Sequence, residues 1–197
     1  MVNYLTAFND FIQQLNLPGI RVISSDMSYY LNAPHEAVHE GLLVVNSGIE
    51  DFYRQVEYMN AEWLYDIDNN PRDISLLDQE SNIIAGKMDI SSYTDVTTKE
   101  DHKLIYNRTT YLIFDKVSSE ELVCFKMAGN KLQDELFWMD FLKGDLPIAL
   151  GANLERYLTQ GFGHHFMYGW QKAAFLNDGR RQAFIAHYEE QLFGIKN

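Results

Sequence analysis

"TTYLIFDKVSSEELVCFKMAGNKLQDELFWMD", residues 109–140, is the stretch on which the fold class turns. It contains three short runs, TTYLIFD (109–115), ELVCFKM (121–127) and DELFWMD (134–140), rich in the β-branched and aromatic residues that suit a pleated surface. Only the turn-forming KVSSE and AGNKLQ separate them. Runs of this length with connections this short predict antiparallel strands joined as a meander.

Helical periodicity surrounds the meander on both sides. Upstream, Tyr4, Leu5, Phe8, Phe11, Ile12 and Leu15 recur at helical spacing, and Leu17-Pro18-Gly19 is a stop signal. IRVIS (20–24) reads as a short strand. Residues 49–65, IEDFYRQVEYMNAEWLY, place Ile49, Phe52, Tyr53, Val56, Met59 and Trp63 at three- and four-residue intervals, which predicts one amphipathic helix ended by DIDNNPRD. Downstream, Asn153 is a helix cap, Leu154, Tyr157 and Leu158 form an apolar stripe, and Gly161 is a stop. Two further helices are expected around HHFMYGWQKAAFL and RRQAFIAHYEEQLF. The fold class is therefore α+β: an antiparallel β-meander sheet covered by helices, with extra C-terminal helices. The expected organisation is a single domain over residues 1–160 with a helical extension, 161–197, packed on it.

An apolar content of 46% supports a packed core, and no run approaches the roughly 20 apolar residues needed to span a bilayer. The N-terminus lacks the basic and apolar regions of a signal peptide. Cys124, the one cysteine, can form no intramolecular disulfide, and a cytoplasmic location is expected. A net charge of −12 disfavours nucleic acid and anionic membranes and makes a basic protein the natural complement. Residues 50–80 hold nine acidic side chains against Arg54 and Arg72, more than half of the net charge. With Tyr58, Trp63 and Tyr65 interleaved, this block combines charges that steer encounter with aromatic anchors. The candidate partner-binding residues are Glu57, Glu62, Trp63, Asp66, Asp68 and Asp73.

One motif points to different chemistry. His35-Glu36-Ala37-Val38-His39 matches H-E-x-x-H, in which two imidazoles one helical turn apart share a zinc ion while the glutamate takes a proton from metal-bound water. It defines the alternative function, a zinc-dependent metallopeptidase. Against it, Pro34 confines any helix to begin at the motif, and a stop at Gly41 leaves it about two turns; the other reading carries the helix through Gly41, at a cost of about 1 kcal/mol, with Ala33, Ala37, Val38, Leu42 and Val45 as its stripe as far as Gly48. Glu57 and Glu62 are the candidates for a third ligand, neither in a companion motif, and His164 and His165 are the residues that could approach in space. His35 and His39 are expected to be surface side chains without metal, and no cofactor is expected. His164 and His165 read as a helix start or core edge, Cys124 as a buried structural thiol, and Trp63, Trp138 and Trp170 as core or interface anchors.

Residues 111–158 resemble the second half of the SUKH superfamily. The matching parts are a strand at Tyr111–Phe114, a hydrophobic-Cys-Phe strand at Leu122–Phe125, an aromatic pair in Leu136–Trp138 and a closing helix at Asn153–Leu158. GLLVVNSGIEDF (41–52) is similar to the family's early strand and helix start. The resemblance implies a non-enzymatic immunity protein that binds and neutralises a secreted toxin, often a nuclease whose basic surface an acidic protein can occupy.

Overall fold

In a computed structural model of the chain, residues 2–29, 47–65, 84–141, 144 and 146–195 are described. The elements run α1 (Tyr4–Gln14), β1 (Ile20–Tyr29), α2 (Ser47–Gln55), β2 (Val56–Tyr65), β3 (Ala85–Ile90) and α3 (Tyr93–Thr98). They continue with β4 (Lys103–Tyr106), β5 (Thr109–Lys116), β6 (Glu121–Ala128), β7 (Lys131–Asp140), β8 (Ile148–Ala149), α4 (Leu154–Gly163), α5 (Trp170–Phe175) and α6 (Gly179–Tyr188). A π-helical turn, Glu189–Phe193, follows α6. The fold is α+β, as the sequence predicts.

The predicted meander is β5-β6-β7, extended into one antiparallel sheet of order β1-β2-β3-β5-β6-β7-β8. β4 pairs with the N-terminal half of β5 (Lys103 with Leu112, Tyr106 with Thr109), whereas β3 meets β5 only near its C-terminal end, Ile90 with Asp115. β6 occupies the other edge of β5, so β3 and β4 share the remaining one. The β6–β7 hairpin closes tightly, with Ala128 opposite Lys131 and Gly129 at φ +64°. The β4–β5 hairpin turns on Asn107 and Arg108, both at positive φ, as a two-residue hairpin turn of matching twist requires.

Helices cover one face of this sheet. α1 buries Tyr4, Phe8 and Phe11, and is capped by Asn3, whose side chain accepts from the Thr6 N–H at 3.0 Å. Ile49, Phe52 and Tyr53 of α2, and Leu154, Tyr157 and Leu158 of α4, join the same apolar cluster as Trp63, Met88, Phe114, Val123, Phe125 and Trp138 from the strands. The opposite face of β5–β7 carries a second cluster, Tyr111, Ile113, Leu122, Cys124, Phe137 and Met139. Cys124 is fully buried there, and desolvation pushes its thiol pKa far up, which fits the structural role expected of it.

Three expectations about secondary structure are corrected. The helix predicted over 49–65 ends at Gln55, and residues 56–65 form strand β2, paired on both sides. The reason lies in the burial pattern: Ile49, Phe52, Tyr53 and Val56 follow the helical period, but Met59, Ala61 and Trp63 are buried at every second position. Gly161 does not stop α4 but lies within it, where a Cβ would stand 2.5 Å from the Phe166 ring. Around HHFMYGWQKAAFL only 170–175 is helical, because the preceding backbone is used elsewhere: Phe166 C=O accepts from Lys87 N–H, and Tyr168 N–H donates to Ala85 C=O. The boundary drawn at 160/161 falls inside α4, and Phe166, Met167, Trp170, Ala173, Ile185 and Tyr188 belong to the common core.

Candidate functional site

The register of β1, β2 and β3 sorts their side chains between two faces. Residues directly opposite on neighbouring antiparallel strands project to the same side, and Met59, Ala61 and Trp63 point into the helix-covered core. The alternate positions therefore form the outer face. One row across it is Asp26, Asn60 and Asp89; the next is Ser24, Glu62 and Lys87. An irregularity between Val22 and Ser24 leaves Ile23 as the extra residue of β1 and keeps both rows in phase.

Hydrogen bonds fix this surface. The Tyr58 hydroxyl donates to Asp26 Oδ2 at 2.7 Å, which raises the phenol pKa. Ser24 Oγ donates to Asn60 Oδ1 at 2.9 Å, and Ser28 Oγ to Glu57 Oε2 at 2.6 Å. Lys87 Nζ lies 3.5 Å from Asp89 Oδ2. Tyr168 stands close enough to Glu62 for that carboxylate to add to the rise of its phenol pKa, behind the larger effect of burial. The face thus gathers Asp26, Glu57, Glu62 and Asp89 with two tyrosines, against Lys87 and Arg21.

Of the residues singled out in the sequence, Glu57 and Glu62 come to this face. Trp63 does not. Its indole is fully buried, donating from Nε1 to the His165 carbonyl at 2.8 Å, so its assignment as a partner anchor is withdrawn. The error follows from the helical reading of 49–65, which left the burial of position 63 undetermined. Asp66, Asp68 and Asp73 lie outside the described residues, as do His35, Glu36 and His39. Asp26, Asp89 and Tyr168 were missed because they are far from the acidic block in sequence and only strand pairing assembles them.

A second constellation lies where α4 ends. His165 and Phe166 both adopt left-handed backbone, φ +51° and +49°, a strained choice for side chains of this size. The strain aims the His165 carbonyl at Trp63 and lays its imidazole flat on Phe193, with ring centroids 3.6 Å apart. His165 Nε2 lies 3.0 Å from Gln14 Oε1, while Nδ1 is buried without a hydrogen-bond partner. Burial lowers the imidazole pKa to about 4, so the ring is neutral at pH 7. His164 Nδ1 meets Glu189 Oε1 at 2.8 Å. Beside this turn a cavity of about 350 Å³ opens between α1 and the end of α4, with Phe11, Gln14, Phe162, His165 and Ile195 in its lining.

Asp115 is a further buried ionisable group. Phe114 is the bulged residue of β5, and the bulge turns Asp115 to the helix-covered side, opposite Val123. Asp115 accepts from the Tyr157 hydroxyl at 2.6 Å and from the Asp89 N–H at 3.1 Å, and Gln171 Nε2 donates to the Tyr157 oxygen at 3.1 Å. Complete burial outweighs these bonds and pushes the carboxyl pKa up to about 6. Among the described residues, no group of three or more His, Cys, Asp or Glu is placed to hold a metal ion, and no helix is long and apolar enough to cross a membrane. No family model, curated protein or solved structure matches the chain.

Proposed function

We propose that the chain is a non-catalytic protein-binding module that neutralises a basic partner, in the manner of an immunity protein acting on a secreted toxin domain such as a nuclease in the cytoplasm. The observation that carries this reading is the outer face of β1–β3. Four carboxylates from three strands share it with Tyr58 and Tyr168, on the side of the sheet away from the helices. A rigid sheet presents charges in fixed geometry, which favours electrostatic steering and a defined docking orientation. Tyrosines supply contact area at low entropic cost and are enriched among residues that dominate binding energy.

The test is co-expression with a basic toxin domain encoded beside this chain. Protection from toxicity and co-purification of a stable complex are expected. Replacing Asp26, Glu62 and Asp89 together by Lys should slow association at low salt by at least about tenfold and abolish protection, because rim charges act mainly on encounter rate. If the triple variant stays folded and protects fully, the docking face lies elsewhere. Failure of the parent protein to bind the domain would remove the reading, and peptide hydrolysis lost in Glu36→Gln would replace it with a metallopeptidase.

A further inference from the structure

We propose that Asp115, Tyr157 and Gln171 form a two-state hydrogen-bond relay whose direction reverses when Asp115 takes up a proton, turning over the Gln171 side-chain amide. The three side chains are fully buried and link β5, α4 and α5: Asp115 Oδ2 lies 2.6 Å from the Tyr157 oxygen, which lies 3.1 Å from Gln171 Nε2. With Asp115 ionised, every bond runs toward the carboxylate. Gln171 donates to Tyr157, Tyr157 donates to Oδ2, and the Asp89 N–H of β3 donates to Oδ1 at 3.1 Å. Gln171 Oε1 is then buried with no hydrogen-bond partner among the described residues.

A proton on Asp115 requires a different arrangement. On Oδ1 it would oppose the Asp89 N–H, so it belongs on Oδ2, from which it is donated to the Tyr157 oxygen. The phenol must then direct its own hydrogen to Gln171, which has to present Oε1 in place of Nε2. A half-turn of the amide about its terminal torsion makes that exchange without repacking, because its two ends are nearly the same size. Protonation thus gives Oε1 the partner it lacks in the ionised state.

Burial pushes the Asp115 pKa up to about 6, so both states are populated in mildly acidic solution. From β3, the Asp89 carboxylate raises that pKa and Lys87 lowers it. β6 places the apolar Val123 opposite Asp115. α3 contributes Tyr93 and Val96 to the core, while its Asp95 is paired with Lys99 at 2.7 Å. Beside Asp115 on β5, Lys116 lies 3.8 Å from Asp101, and His102 Nδ1 meets the Ile113 carbonyl at 3.2 Å. Cys124 keeps its proton, because burial pushes its thiol pKa far up. The outer face of β1–β3 therefore biases the relay through Asp89, whose negative charge favours the protonated state.

The test is NMR of the intact protein between pH 4 and pH 8, following the Asp115 carboxyl carbon, the Gln171 side-chain NH2 pair and the Overhauser contact of that pair with the Tyr157 ring. The Gln171 shifts are expected to titrate with the Asp115 midpoint, and the contact with Tyr157 present at pH 8 should fade at pH 4. Asp115→Asn keeps Oδ1 for the Asp89 N–H and offers Nδ2 to Tyr157, so it should hold Gln171 in its low-pH signature at every pH. Asp89→Asn should move the shared midpoint to lower pH. The relay is overturned if Gln171 keeps its shifts and its Tyr157 contact while Asp115 titrates, if Asp115 does not titrate in this range, or if Asp115→Asn shows the high-pH signature. A midpoint unmoved in Asp89→Asn would overturn the link to the outer face. The titration of the parent protein decides the matter even where Asp115→Asn fails to fold.

Discussion

The Trp63 indole lies against Gly86, so closely that a Cβ on residue 86 would stand 2.3 Å from Nε1 and 2.8 Å from the Phe166 oxygen. Neither neighbour can retreat cheaply, since the Phe166 carbonyl accepts from Lys87 and the indole is bonded to His165. Gly86→Ala is therefore expected to cost about 1–3 kcal/mol by overpacking, read as a lower midpoint in urea unfolding with unchanged slope. Asp115 gives a prediction in pH. Its folded pKa, about 6, is raised above the ordinary 3.8, so the folded state holds a proton that the unfolded chain has already lost between those values. Its contribution is fully present below about pH 4 and is lost as pH rises through 6, amounting to about 3 kcal/mol by pH 7. Asp115→Asn should abolish that slope: the stability difference between parent and variant should shift toward the parent as pH falls from 7 to 4. A difference independent of pH would mean that the carboxyl is not the titrating group.

At the scale of elements, β2 explains both what the sequence told and what it concealed. Met59 and Trp63 are four residues apart, a spacing that satisfies a helix and a strand equally, and the genuine helical stripe of α2 runs directly into them. Ala61, small and unremarkable, is the residue that breaks the tie, because it is buried in phase with the strand. The pairing of β2 with β1 and β3 on both sides then overrides local preference. A pair of substitutions reads this directly. Ala61→Glu should place an unpaired charge in the core and cost several kcal/mol, whereas Asn60→Lys, on the outer face between Asp26 and Asp89, should cost under about 1 kcal/mol; denaturant unfolding compares them. The meander was legible because its turns are short and its strands pair with sequence neighbours. So were α1 and the Asn153 cap of α4, whose side chain accepts from the Arg156 N–H at 2.9 Å. By contrast, the outer acidic face was legible only in Glu57 and Glu62. Asp26 and Asp89 join them through long-range register, and the buried Trp63 was assigned to the surface because its strand was taken for a helix.

For the whole molecule, the question is whether residues beyond α4 are an accessory or part of the folding unit. Their contacts favour the second. Trp170 packs on Tyr157 at a centroid distance of 4.8 Å, Phe166 on Phe11 at 5.6 Å, and Phe193 edge-on to Trp63 at 6.0 Å, so three different layers of the core end on this segment. The Gly86–Met167 bridge continues the sheet edge, and Lys172 binds Glu121 of β6 across the molecule. Removing residues 161–197 would expose the neighbours of Phe166, Met167, Trp170, Ile185 and Tyr188, each a fully or nearly fully buried side chain. At about 1.5–3 kcal/mol for each large apolar side chain, the loss matches or exceeds the roughly 5–15 kcal/mol that stabilises a typical domain. A chain ending at Gln160 is therefore expected not to fold: its amide spectrum should collapse into the narrow range of an unfolded polypeptide, and it should bind a hydrophobic dye. The full chain, in turn, should unfold in one transition, with tryptophan fluorescence and far-ultraviolet dichroism coincident. A truncated chain with a dispersed spectrum, or separate transitions in the full one, would show that residues 161–197 are an extension that the core does not require.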